Sequence, residues 1–206
     1  MLAPLPLPKA RLEALTDGIF AVTMTLLVLD LKFAERVSGK HVLDDLLTLL
    51  PYVDDYVISF VVLCVFWVAH LRLIRRVREV DAPFVWLNLA FLLFTTFVPP
   101  LTSWIGQSSS QPAPAIVYGI DLILILASET LMWRHACRHL VNESVTDAQA
   151  LWRSVRRRFF IAAAVMIAGI AAALIEIRVD TNVGYASYVY LLLIGAGLFR
   201  PKLQRT

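Results

Sequence analysis

The residues of this 206-residue chain that could do chemistry stand in three short groups, each inside an apolar run. The first holds Glu13, Thr16 and Asp17, with Thr25 two turns on. The second holds Trp67 and His70, and the third Trp86 and Asn88. A carboxylate and an imidazole can relay a proton or hold a cation. A hydroxyl can touch a passing ion, and a carboxamide can bridge two helices. An ionisable group in the middle of a membrane span costs about 2.5–3.5 kcal/mol on insertion scales. Asp17 lies nearer the end of its run, so its cost is smaller, but it still needs a partner or a water-filled cavity. No group of nucleophile, base and oxyanion donors is visible, which argues against an enzyme. Cys64 and Cys137 show no CxxC spacing and no His/Cys cluster, and read as reduced packing residues.

The elements that must position these groups are membrane helices. Apolar residues make up 59% of the chain and the mean hydropathy is +0.71, far above a soluble domain. Residues 1–206 are expected to form one all-α integral membrane domain. Six stretches approach the ~20 residues a bilayer core requires: 10–32, 53–73, 83–105, 114–134, 157–177 and 183–200. Pro51, Pro83 and Pro114 stand near three of the starts, where a missing N–H costs least. Thr146-Asp147-Ala148-Gln149 has capping-box spacing and predicts a helix that runs into the fifth span. No cleavable leader is expected, since Glu13 and Asp17 interrupt the start of the first apolar run.

Charge alternates between the connections. Fifteen of the 19 Lys and Arg residues fall before span one, after span two, between spans four and five, or at the end of the chain. Only Lys32, Arg36, Lys40 and Arg178 fall on the other side. The positive-inside rule then makes both termini cytoplasmic, which needs an even number of spans. Basic residues at the ends of apolar segments report topology, so nucleic acid is not an expected partner. The opposite side carries Glu35, Asp44, Asp45, Asp54, Asp55, Glu176 and Asp180. Such a vestibule would concentrate cations at a pore mouth.

On a helix at 100° per residue, Val22, Thr25, Leu26 and Leu29 form one stripe, with Glu13 and Asp17 roughly opposite. Copies of that stripe around an axis would give hydrophobic rings that gate by dewetting, beside a ring of hydroxyls. The same spacing also suits ordinary helix packing. Asp17, His70 and Asn88 share a depth near the cytoplasmic ends of the first three spans, so a buried Asp–His–Asn network is geometrically open.

The first half of the chain resembles the bacterial members of the transmembrane protein 175 family of potassium channels. Arg11-x-x-x-Leu15-Thr16-Asp17, followed by Gly18-Ile19-Phe20-Ala21, is similar to that family's Arg-x-x-x-Phe-Ser-Asp motif. Trp67 and His70 match its Trp-x-x-His, and Trp86 and Asn88 its Trp-x-Asn. Leu15 and Thr16 depart from the motif, though Thr16 keeps the hydroxyl. The resemblance implies a homotetramer of six-span subunits in the bacterial plasma membrane, passing K⁺ and other monovalent cations. The first helix would line the pore, with no carbonyl filter. It implies constriction rings at Val22, Leu26 and Leu29 and a hydroxyl layer at Thr25, where K⁺ is touched in transit. Arg11, Thr16, Asp17, His70, Trp86 and Asn88 would form a structural and gating network. Neither a cofactor nor a resident metal is implied.

Asn182-Val183-Gly184-Tyr185-Ala186 looks like a carbonyl filter, but its flanking Thr and Gly are replaced and no re-entrant helix fits there. A proton-coupled carrier using Asp17 and His70 is the rival class, and such carriers show repeats and broken helices near the midplane that this sequence lacks. The charge split predicts that a cysteine placed at Thr206 is labelled only from the cytoplasmic side. Labelling by an impermeant reagent in intact cells would overturn the topology.

Overall fold

The structure, a computed structural model, describes residues 9–29, 42–107, 111, 113–140 and 145–179. The regular structure there is all α-helix, with 75–81 forming a short connection. The helices are α1 (Lys9–Leu29), α2 (Val42–Ile74), α3 (Ala82–Gln107), α4 (Ala113–His139) and α5 (Val145–Val179). Five segments, Lys9–Leu29, Val53–Ile74, Ala82–Gln107, Ala113–His139 and Gln149–Ile175, are long and apolar enough to cross a bilayer. The sixth stretch, 183–200, lies outside the described residues, as do both termini, the 182–186 segment and Gly106's serine neighbours Ser108, Ser109 and Ser110.

The apolar spans keep the expected bounds within one or two residues, at Val53–Ile74 and Ala82–Gln107, but one helix start differs. Helix α2 begins at Val42, well before Pro51, so that proline does not open the helix. Helix α3 continues through Gly106 to Gln107 and carries Pro99 and Pro100 inside it. In a bilayer, neighbouring helices and nearby hydroxyls can satisfy the backbone groups a proline frees. Thr95 and Thr102 spend their hydroxyls on backbone carbonyls within α3, at Phe91 and Val98. Helix α5 starts at Val145 and runs without a break to Val179, as the 146–149 spacing suggests.

Helix α4 packs along both α3 and α5, and α1 packs against α3 and α2. The core is aromatic and aliphatic. Phe20 of α1 is buried against Phe91 of α3, with ring centroids 5.7 Å apart. Leu12 and Leu27 continue the buried stripe of α1 above and below it. At the far end of the bundle, the Ser59 hydroxyl of α2 shares a hydrogen bond with that of Thr102 of α3 at 2.7 Å and accepts one from Tyr118 of α4 at 3.1 Å. One hydroxyl cluster thus joins three helices.

The near end is fastened by charge. Asp81 caps α3, accepting from the Phe84 amide at 3.0 Å through Oδ1, the usual role of an N-cap carboxylate. Its Oδ2 lies 2.7 Å from Nε2 of His135 on α4. Lys9 donates to the Val77 carbonyl at 2.8 Å, tying the start of α1 to the α2–α3 connection.

Lipid tails are as apolar as Leu, so packing rather than expulsion from water holds these helices together. Removing the Phe20 ring therefore loses mainly the cavity term, about 24 cal/mol per Å³ of space left. Phe20→Ala should cost about 2 kcal/mol on that scale, read as a lower unfolding temperature of the purified protein in mild detergent. An unchanged transition would mean that the α1–α3 seam is not as packed as described.

Candidate functional site

The site is built on α1, whose faces differ. Leu12, Thr16, Phe20, Thr23 and Leu27 recur at three- and four-residue steps and are buried. That periodicity turns one side of the helix toward α3 and α2. Thr16 sits in the N-terminal half of this side. Its hydroxyl donates to the Leu12 carbonyl at 2.9 Å and accepts from Asn88 Nδ2 of α3 at 3.1 Å. Both residues are fully buried.

Asp17, the next residue, is rotated out of that seam and is exposed at the side of α1. It accepts a hydrogen bond from the Trp67 indole of α2 at 2.9 Å. A continuous Asp17–His70–Asn88 network is therefore not formed. Trp67 precedes His70 by three residues on the same face of α2 and reaches the carboxylate, while Asn88 is taken by Thr16. His70 is only 3% exposed. Its ring stacks on Phe91 at 5.2 Å with 13° between planes. Neither of its ring nitrogens, nor Asn88 Oδ1, has a hydrogen-bond partner among the described residues. Glu13, Asp17, Trp67, His70 and Arg75 line a pocket of about 210 Å³ beside these atoms. That is ample space for several waters.

The remaining network candidates stand apart. Arg11 is exposed on the outer face of α1. Trp86 is 72% exposed and points away from Asn88's seam, because two residues on a helix turn the side chain by about 200°.

The pore candidates lie on the opposite face of α1 from Phe20. Val22 is 57% exposed, Leu26 44% and Leu29 68%. Thr25 is exposed as well and donates to the Val22 carbonyl at 2.8 Å, which leaves its oxygen lone pairs outward. Leu15 extends the stripe inward. Gly18 shares this face, and a Cβ built there meets no atom within 4 Å.

Two acids escaped the sequence reading. Asp121 and Glu129 of α4 are 6% and 5% exposed, inside a helix that can cross the membrane. Glu129 lines a pocket of about 110 Å³ with Arg72 of α2, Trp133 of α4 and Arg158 of α5. The signal was present in the sequence, since any carboxylate inside a span demands a partner. Among the described residues no group of three or more His, Cys, Asp or Glu side chains could hold a metal ion.

Thr16→Val keeps the shape of the side chain but leaves Asn88 Nδ2 buried without an acceptor. It should destabilise the protein by about 1–2 kcal/mol, and Thr16→Ser should restore most of the loss. Thermal unfolding of both variants checks this, and a neutral Thr16→Val would show that the Asn88 bond holds nothing in place.

Comparison with known proteins converges on one family. The family model described as endosomal/lysosomal potassium channel TMEM175 matches residues 11–99. A potassium channel of a Chryseobacterium species is 35% identical over 60% of this chain, and the match spans 62% of that relative's own length. A potassium channel of Streptomyces collinus is 31% identical, with 73% of this chain and 75% of the relative aligned. The crystal structure of a lysosomal potassium-selective channel TMEM175 homolog from Chamaesiphon minutus superposes with a TM-score of 0.74 at 25% identity. That superposition covers 92% of this chain and 98% of the other. This chain is a membrane-embedded member of the TMEM175 channel family.

Proposed function

We propose that the chain is one subunit of a homotetrameric, potassium-permeable channel in a bacterial plasma membrane. Each subunit has six spans, with both termini cytoplasmic. The pore runs along the common axis and is lined by α1. Val22, Leu26 and Leu29 form successive aliphatic rings, with Thr25 as the hydroxyl layer between them.

The observation that carries this reading is the exposed stripe of α1. In a single subunit α1 packs by its Leu12–Leu27 face, and Val22, Thr25, Leu26 and Leu29 turn outward. A helix sheltered by α2 and α3 on one side, and aliphatic with a single hydroxyl on the other, is suited to a narrow pore. The names of the bacterial relatives, potassium channels, support the same reading.

An aliphatic ring resists a hydrated ion because it offers no ligands in place of lost water. The Thr25 hydroxyl oxygen, already oriented by its bond to Val22, can offer one. Conduction is then set by how easily the Val22 ring wets, and ion preference by the hydroxyl layer. Thr16, Asn88, Trp67 and Asp17 act at a distance by fixing the rotation of α1, so that changes there alter assembly or gating before they alter selectivity.

The direct test is the reversal potential of the purified protein in a planar bilayer under a K⁺/Na⁺ gradient. A shift toward the K⁺ equilibrium potential is expected, and no conductance at all would contradict the proposal. Val22→Asn should raise single-channel conductance and weaken K⁺ preference, Val22→Phe should block, and Thr25→Ala should conduct with reduced K⁺ preference. Ile167→Ala, on the exposed face of α5, serves as a control expected to behave like wild type. Val22 and Thr25 variants that conduct like wild type would remove α1 from the pore.

A further inference from the structure

The first turns of α5 carry four arginines at the membrane boundary, and they divide by direction. Arg158 turns inward and lines the buried pocket that contains Glu129 and Arg72. Arg153, Arg156 and Arg157 turn the other way. With Phe160, Ile161 and Ala164 they line an open cleft of about 630 Å³ on the outside of the helix. None of the six lining residues is acidic. Arg158 shares its pocket with a carboxylate, whereas the cleft of the outward three offers none; Arg153 Nε donates only to the Gln149 carbonyl of its own helix, at 3.4 Å. The positive-inside rule accounts for basic residues near a span in general. It does not account for three of them on one face, directly continuous with an exposed apolar strip.

That strip is well marked. Phe160 is 61% exposed and Ile161 46%, and Ile167, Leu174 and Ile175 continue along the helix at 59%, 50% and 61%. Turned to the bilayer, this surface would meet acyl chains and place the arginines at its end among the headgroups. Arg153 and Arg157 are one turn apart, about 6 Å along the axis. Two guanidinium groups at that spacing can clasp the oxygens of one phosphodiester, and guanidinium forks suit phosphate better than a point charge does.

The geometry points to a binding site for an acidic phospholipid on the outer face of α5, with the phosphate held by Arg153, Arg156 and Arg157 and the acyl chain lying over Phe160, Ile161 and Ala164. Charge complementarity selects the acidic headgroup, and the apolar strip selects a lipid over a free phosphate. Basic residues at the ends of membrane helices commonly recruit acidic lipids in this way.

The test uses the intact protein in nanodiscs of phosphatidylcholine and phosphatidylglycerol, released gently and weighed by native mass spectrometry. Wild type should retain phosphatidylglycerol above its share in the disc. The triple variant Arg153→Gln, Arg156→Gln, Arg157→Gln should lose that enrichment, by about five-fold per arginine removed. Phe160→Ala with Ile161→Ala should weaken retention while leaving the headgroup preference in place. A charge-matched control at the exposed Arg78, Arg134 and Arg138, each changed to Gln, should retain lipid like wild type. Lysine at the three α5 positions keeps the charge, guards against misfolding of the glutamine variant, and should restore most of the enrichment. Excess inorganic phosphate should not displace the lipid. Four results would overturn the site: no enrichment in wild type, equal loss in the charge-matched control, displacement by inorganic phosphate, or a glutamine triple that keeps its lipid. A fifth would do the same. If the glutamine triple falls apart into smaller assemblies, the face packs against another copy of the chain and not against lipid.

Discussion

The hydrogen bond from Asn88 to Thr16 sets the geometry on which the rest depends. Inside a membrane a polar side chain cannot turn to water, so a buried donor and acceptor on neighbouring helices find each other or stay unsatisfied. Thr16 and Asn88 meet in the seam between α1 and α3, 3.1 Å apart. Phe20 fills the next turn against Phe91. Together they fix which side of α1 faces the bundle. Once that side is fixed, helical periodicity forces Val22, Thr25, Leu26 and Leu29 outward. The indole of Trp67 holds Asp17 at the border between the two faces. The exposed stripe of α1 is thus oriented by residues on its opposite side.

This division of labour explains why the end of the bundle around Thr16 and Asn88 is polar. Helix α1 has one side without a neighbour among the described residues, so its orientation must be held from the other side. Packing of smooth aliphatic residues alone would tolerate small rotations. A directional bond does not, even at the modest strength, about 0.6 kcal/mol on average, that such bonds show in membrane proteins. The hydroxyl cluster of Ser59, Thr102 and Tyr118 does similar work at the other end. There it locks α2, α3 and α4 into the wall against which α1 rests. Asp81 adds a third fastening by capping α3 while contacting His135 of α4.

Much of this was legible in the sequence, for identifiable reasons. A membrane helix needs a long apolar run and little else, so the first five spans can be read from composition alone. The stripe of Val22, Thr25, Leu26 and Leu29 follows from periodicity, and its exposure in a single subunit agrees with the face so drawn. Pairing was harder. Depth along the bundle placed Asp17, His70 and Asn88 together, but depth does not fix rotation. Thr16 is one residue from Asp17, about 100° around the helix, and that step decides which of them meets Asn88. His70 ended against the face of Phe91 because α3 presents an aromatic ring one turn beyond Asn88. Neither Asp121 nor Glu129 of α4 has a second charged group one helical turn away to mark a shared face, and only the packed bundle shows them buried. The start of α2 at Val42 was hidden by Pro51, which reads as a boundary yet stands inside the helix.

The central claim, that the outward face of α1 lines the ion path, is tested most directly by thiol access under current recording. With Cys64 and Cys137 replaced by Ala, a cysteine at Val22 or Leu29 should let a small water-soluble thiol reagent block the current within an open pore. The same reagent should leave Thr23→Cys untouched, since that position is buried in the seam toward α2 and α3. Block at Thr23 with none at Val22 and Leu29 would contradict the account, because the helix would then present its other face to the ions.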